Sequence, residues 1–225
     1  MGQIRKIAVT TAQIKLANES SVWDLANDVL YRLCRESPCH KSDAEIIAKV
    51  WLIGRSYAAA IERRKPGDKA DKDAKIPTAD RFYEEIVAPA IRESDIDDWL
   101  SSLPDDEAPG SPRTIEVHYK LMKKFGEIAG DNKRSLASKY LHFHKPDVFF
   151  IYDSRARSAI TKIEGLPRLS QIPPMNTDGA DLEYKDFVRR CVRFRQDVFE
   201  KHGIKLPPRQ LDKLLLMLAE TSHRD

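Results

Sequence analysis

Apolar residues recur every three or four positions along almost all of this 225-residue chain, and only residues 148–152 read as a strand. Five residues cannot build a sheet, so the helical period leaves an all-α fold as the solution. Val22, Leu25, Val29, Leu30 and Leu33 mark one helix, with Ser20 or Ser21 available as its cap. Ser42 and Glu45 form a capping-box pattern that opens a second helix over residues 42–64. Its Ile46, Ile47, Val50, Trp51, Ile53 and Tyr57 supply an apolar face, and its slim half (Gly54, Ser56, Ala58, Ala59, Ala60) suits the close approach of another helix. Further helices are expected over 79–91, where Pro89 ends or kinks the pattern, over 96–103, from a cap at Thr114 to about Gly130, over 182–202 and over 209–220. The connections at 65–75, 104–113 and 165–181 are Pro/Gly-punctuated; the first should be a flexible exposed loop.

A chain of this length can bury a core without staples. Its three cysteines, Cys34, Cys39 and Cys191, have no CxxC spacing, so neither a metal nor a disulfide scaffold is expected, and a reducing compartment is the simpler setting. The N-terminus lacks a long apolar region, and no stretch approaches the roughly 18 apolar residues of a membrane span. These features read as a soluble, unprocessed, cytoplasmic protein with no membrane partner. A net charge of +3 permits nucleic-acid binding without demanding it. Its distribution is more telling. Basic residues crowd 133–168 and 185–195, whereas acidic ones gather at 93–98 and 105–107.

In the basic stretch 134–160, RSLASKYLHFHKPDVFFIYDSRARSAI, an Asp stands at the end of an apolar run. Asp153 follows Val148, Phe149, Phe150, Ile151 and Tyr152, and a helical pattern resumes after it. A carboxylate there is costly to desolvate, so it must be hydrogen-bonded, paired or used for chemistry.

A helix with a basic, polar start that leads through an apolar turn to a lone Asp resembles the helix-hairpin-helix (HhH-GPD) DNA glycosylases. In those proteins a hairpin binds the DNA backbone, the following helix can offer a Lys nucleophile, and an Asp lies about eighteen residues further on. Counting back from Asp153 by that spacing reaches Ser135, and FFIYDSRA is similar to the family's hydrophobic-hydrophobic-Asp stretch. The resemblance covers about thirty residues. Its hairpin is degenerate, since Gly130 is followed by Asp131, Asn132 and Lys133 and not by Leu-Pro-Gly-x-Gly. Ser135 stands where the bifunctional lyases carry Lys, as in the monofunctional adenine glycosylases.

The resemblance implies a two-lobed helical bundle, about 1–110 and 111–225, with the active cleft between the lobes, and duplex DNA with a flipped base as partner. It also implies an N-glycosylase without cofactor or metal. Asp153 would stabilise the sugar cation and activate water, with Ser135 and Lys139 beside it. Lys133, Arg134, Arg155 and Arg157 would touch DNA. Breaking an N-glycosidic bond builds positive charge on the sugar, which a nearby carboxylate offsets. The base must first leave the stack and be held in a pocket, for which Trp51, Tyr140, Phe143, Phe149 and Tyr152 are available, although aromatics at such spacing are more often core.

Lys139 lies one turn after Ser135. It is either a substitute Schiff-base nucleophile, a phosphate contact or a surface lysine. His142 and His144 sit two apart, about 200° around a helix, which disfavours a shared metal; capping the helix end or hydrogen-bonding around Asp153 suits them better. No P-loop, GxGxxG or G-x-S-x-G pattern is present. Two other functions compete. One is a catalytically inactive nucleic-acid-binding or defence-system module in which Asp153 is only a helix cap, and the other is a helical protein–protein adaptor.

Overall fold

The structure, a computed structural model, describes residues 6–62, 79–104 and 106–221, so the loop expected at 65–75 lies outside the described residues. The helices are α1 (Thr11–Asn18), α2 (Asp24–Glu36), α3 (Asp43–Ser56), α4 (Ala79–Phe82), α5 (Ala88–Arg92), α6 (Ile96–Ser101), α7 (Pro112–Ala129), α8 (Arg134–His144), α9 (Ser154–Lys162), α10 (Leu182–His202) and α11 (Pro208–Thr221). Among the described residues there is no strand, only an isolated parallel bridge between Ile7 and Ile163, so the fold is all-α. No helix among them is long and apolar enough to cross a membrane.

Several helix ends differ from the sequence reading. Helix α2 begins at Asp24, whose carboxylate accepts from the Ser21 amide at 2.6 Å and hydroxyl at 2.8 Å, so the serine is the donor and the acid the acceptor. Val22 and Leu25 are 89% and 77% exposed, while Leu30 and Cys34 carry the buried face. Ser42 precedes α3 without a side-chain cap bond. Helix α3 stops at Ser56 because the chain doubles back through Ala58 at φ 51°, and the Ala59 amide bonds the Gly54 carbonyl at 2.7 Å. A Cβ at Gly54 would stand 3.1 Å from the Ala60 backbone, so at this glycine the slim half of the helix admits its own following loop. Helix α7 is opened by Ser111 and Pro112, with the Thr114 hydroxyl donating to the Ser111 carbonyl at 2.7 Å. Between α4 and α5 a π-helical turn (Tyr83–Val87) precedes Pro89, which brings no backbone donor to the ladder.

Two apolar clusters organise the molecule. The first gathers α2 to α8 with Val148 and Phe149. The second gathers α1, α9, α10 and α11 with Ile115, Phe150 and Tyr152. Along the crossing segment the clusters change over between Phe149 and Phe150, while α1 and Ile115 of α7 join the C-terminal helices.

Residues 148–152 cross from one cluster to the other; the Val148 and Phe149 amides bond the Lys145 carbonyl, and several other backbone groups are met by side chains where a sheet ladder would otherwise serve. His142 Nδ1 pairs with the Phe149 carbonyl at 2.9 Å and the Tyr184 hydroxyl donates to the Phe150 carbonyl at 3.0 Å. The Tyr152 amide donates to Ser138 Oγ at 2.9 Å, while Ser135 Oγ donates to the Tyr152 carbonyl at 3.2 Å. An apolar run with strand-like composition is thus held extended without a partner strand.

Candidate functional site

The crossing delivers Asp153 to the start of α9. Gly130 ends α7 in the left-handed region at φ 73°, and four residues later α8 begins, with the Arg134 amide bonded to Asn132 Oδ1 at 2.9 Å. One turn apart on α8, Ser135 and Lys139 face the crossing segment. Asp153, in extended backbone, caps α9 by accepting the Arg155 amide on Oδ1 at 2.8 Å.

Three of the expected site residues therefore meet. Lys139 Nζ donates to Ser135 Oγ at 2.6 Å and lies 3.8 Å from Asp153 Oδ2. The Lys139 side chain is 3% exposed and that of Asp153 24%, so the ammonium is enclosed while the carboxylate and the half-buried Ser135 reach solvent. Burial pushes the Lys139 ammonium below its ordinary range, opposed by the negative charge of Asp153 and Asp212. A plain surface lysine is thus excluded.

The expected DNA contacts separate into two kinds. Lys133 is buried and paired with Asp131 at 2.8 Å, and Arg134 forks onto Asp181 and reaches Glu183 Oε2 at 2.9 Å. These two side chains hold the turn before α8 and the start of α10, and neither projects into solvent as a phosphate contact would. Arg155 and Arg157 are more than half exposed, the first 3.4 Å from Asp153 Oδ1 and the second 3.2 Å from Glu183 Oε1. The later basic cluster is largely structural. Arg189 donates to the Leu169, Ile172 and Pro173 carbonyls, and Arg193 pairs with Asp197 at 2.8 Å.

The histidines do not surround Asp153. His142 pairs through Nε2 with the Tyr31 hydroxyl at 2.7 Å, and His144 lies beside His40 and Tyr140. Both are buried and neutral, since desolvation carries His142 down to about 4 and His144 well below its usual value. No group of three or more His, Cys, Asp or Glu among the described residues is arranged to hold a metal. Of the aromatic candidates, Tyr140, Phe143, Phe149 and Tyr152 are core and Trp51 is 42% exposed.

Sequence reasoning missed the wall opposite Lys139. Asp212 on α11 is 3% exposed, pairs through Oδ2 with Arg209 at 2.8 Å, and leaves Oδ1 buried without a partner. Burial raises its carboxyl to about 6, although Arg209 and Lys139 pull the other way. Tyr57 adds its ring 5.8 Å from Lys139 Nζ and donates to Asn27 Oδ1 at 2.7 Å, and the Asn27 amide nitrogen is buried and unpaired. The signal for Asp212 was present: it shares a helical face with Leu215 and Ala219, a carboxylate inside an apolar stripe. Comparison with protein-family models, with curated proteins and with solved structures finds no match for this chain.

Proposed function

We propose that this protein is a divergent helix-hairpin-helix (HhH-GPD type) DNA glycosylase acting as a monofunctional N-glycosylase on a modified or mismatched base of duplex DNA, in the cytoplasm. The observation that carries the reading is the convergence of Ser135, Lys139 and Asp153 where α8 meets the start of α9. An anionic oxygen on a partly open carboxylate suits the positive charge that grows on C1′ as the glycosidic bond breaks. The same carboxylate can orient the water whose oxygen adds to C1′ and accept the proton it sheds, while the bond's electrons leave with the base, which takes up a proton. Lys139, buried and hydrogen-bonded to Ser135, fixes the position of Asp153 Oδ2 from the core side. Arg155 and Arg157, exposed on the first turns of α9, provide cations for the phosphates flanking the flipped nucleotide.

The direct test is base release from a panel of lesion- and mismatch-bearing duplexes by the full chain and by Asp153→Asn. Release by the wild type that Asp153→Asn abolishes, with DNA binding retained, supports the reading; release that persists in the variant removes Asp153 from the chemistry. A second reading rests on the cap bond from the Arg155 amide to Asp153 Oδ1. An N-cap contributes on the order of 1 kcal/mol, and an inactive nucleic-acid-binding module would keep the acid for that alone. Such a module binds duplex DNA but releases no base from any member of the panel.

A further inference from the structure

The chain leaves α3 by a strained route. Tyr57 follows the last helical residue, Ala58 then adopts φ 51°, and the Ala59 amide closes onto the Gly54 carbonyl at 2.7 Å. Ala58 is the one non-glycine residue with positive φ among the described residues, and its Cβ meets a steric penalty there that glycine would avoid. Strain of this kind persists where the surroundings hold it, and it gathers at binding and catalytic sites. Here its product is the placement of Tyr57.

The Tyr57 side chain is fixed at its tip and along its ring. Its hydroxyl donates to Asn27 Oδ1 at 2.7 Å, and Asn27 is itself buried on α2. Its ring meets Phe143 in an edge-on contact at 5.3 Å between centroids, and Lys139 Nζ lies over it at 5.8 Å. The same Nζ is 3.8 Å from Asp153 Oδ2, so the ring and the carboxylate are neighbours of one ammonium. Phe143 and Tyr140 are enclosed in the core, whereas Tyr57 is half-buried and keeps part of its surface in solvent. A rigidly held aromatic ring with open surface thus stands beside the carboxylate of the site.

We propose that Tyr57 is the stacking platform for the extrahelical base, an assignment that rests on the glycosylase function proposed for Asp153. A base that has left the duplex must be held while the bond to its sugar breaks, and a flat ring near the group acting on that sugar replaces the lost stacking. Every base has a π-face, so stacking on an aromatic ring is tolerant of base identity. Tyr57 therefore sets affinity for the flipped nucleotide and leaves the choice of base to other groups.

The test takes the full chain and every duplex of the lesion and mismatch panel from which the wild type releases base. In Tyr57→Leu the protein concentration giving half-maximal single-turnover rate should rise about tenfold or more for each such duplex, with the maximal rate falling less. Tyr57→Met, flexible enough to fit the same packing, carries the same expectation should leucine disturb the fold. Tyr57→Phe keeps the ring and should recover most of the loss. A duplex with a tetrahydrofuran abasic site presents no base, so its affinity should not follow the ring; equal binding by the variants also reports that they are folded. An unchanged half-saturation in both Leu and Met variants, a loss seen with one base and not another, an equal loss on the abasic duplex in folded protein, or an equal loss in Tyr57→Phe would each overturn the platform while leaving Asp153 its role. Base release from no duplex by the wild type removes the glycosylase reading, and the platform with it.

Discussion

Lys139 Nζ reaches back one turn of α8 to donate to Ser135 Oγ at 2.6 Å, and through that bond its ammonium is fixed 3.8 Å from Asp153 Oδ2. The serine in turn bonds the Tyr152 carbonyl at 3.2 Å, so the residue before the acid and the cation beside it are positioned by one hydroxyl.

Asp153→Asn separates charge from capping. Asparagine caps a helix about as well as aspartate, so circular dichroism should change little, while losing the charge beside the buried Lys139 should lower the urea midpoint. Single-turnover base release should fall by roughly 10²- to 10³-fold, the usual cost of removing one group that stabilises developing charge.

Borohydride trapping on abasic-site DNA should yield no covalent adduct. The Lys139 amine is spent on Ser135 and Asp153 and is almost fully enclosed, so it does not present a lone pair to C1′. An adduct that disappears in Lys139→Ala would reverse the roles given to Lys139 and water.

Duplex binding should distinguish the four basic residues first drawn from the sequence. Arg155→Gln and Arg157→Gln should each lower the slope of log K against log salt by about 1. Lys133→Gln should leave the slope unchanged, because that ammonium is already paired with Asp131 inside the protein.

Asp212 makes a pH-dependent contribution of defined sign. Its carboxyl titrates near 6 in the folded chain and near 3.8 unfolded, so the folded state favours the protonated form. The cost of its ionisation is absent below about pH 4 and complete above about pH 6, and it is on the order of 3 kcal/mol for a shift of about 2 units. Relative to Asp212→Asn, which does not titrate, the wild type should lose about that much stability between pH 4 and pH 7. Urea denaturation of both proteins across this range measures the difference, and a constant difference would refute it.

Tyr31→Phe should destabilise the fold by about 1–3 kcal/mol, since it strips the partner from the buried His142 Nε2. Chemical denaturation reads this directly.

The all-α class was legible because the helical period runs through nearly every segment, and α10 falls on the residues its pattern marked. Helix starts were less so. At α2 the pattern offered a serine as acceptor, whereas Asp24 is the stronger acceptor and takes the Ser21 donors. Ser135 was reached from Asp153 by the eighteen-residue spacing that the family resemblance implies, and Lys139 follows Ser135 by one turn of the same helix. Asp212, Tyr57 and Asn27 come from three distant helices or loops, and no local period reports a contact made across the interior. Lys133 and Arg134 were misread for a related reason: their acidic partners Asp131, Asp181 and Glu183 are found only once the chain has folded.

The allocation of α1 to the C-terminal cluster sets an order of assembly. Helices α2 to α8 and the start of the crossing segment form one uninterrupted stretch of chain whose apolar contacts, apart from those of Ile115, close mostly within it. The second cluster joins Ile14 and Ala17 to Leu211, Leu214 and Leu218, with Thr11 against His202 and the Lys213 ammonium on the Glu19 carbonyl. Contacts of such sequence separation form slowly, because a long loop must close before they are rewarded. The first cluster can be complete while α11 is still being synthesised. The face of α9 that meets α11, and with it the setting of Asp153, is finished only when α11 has packed against it.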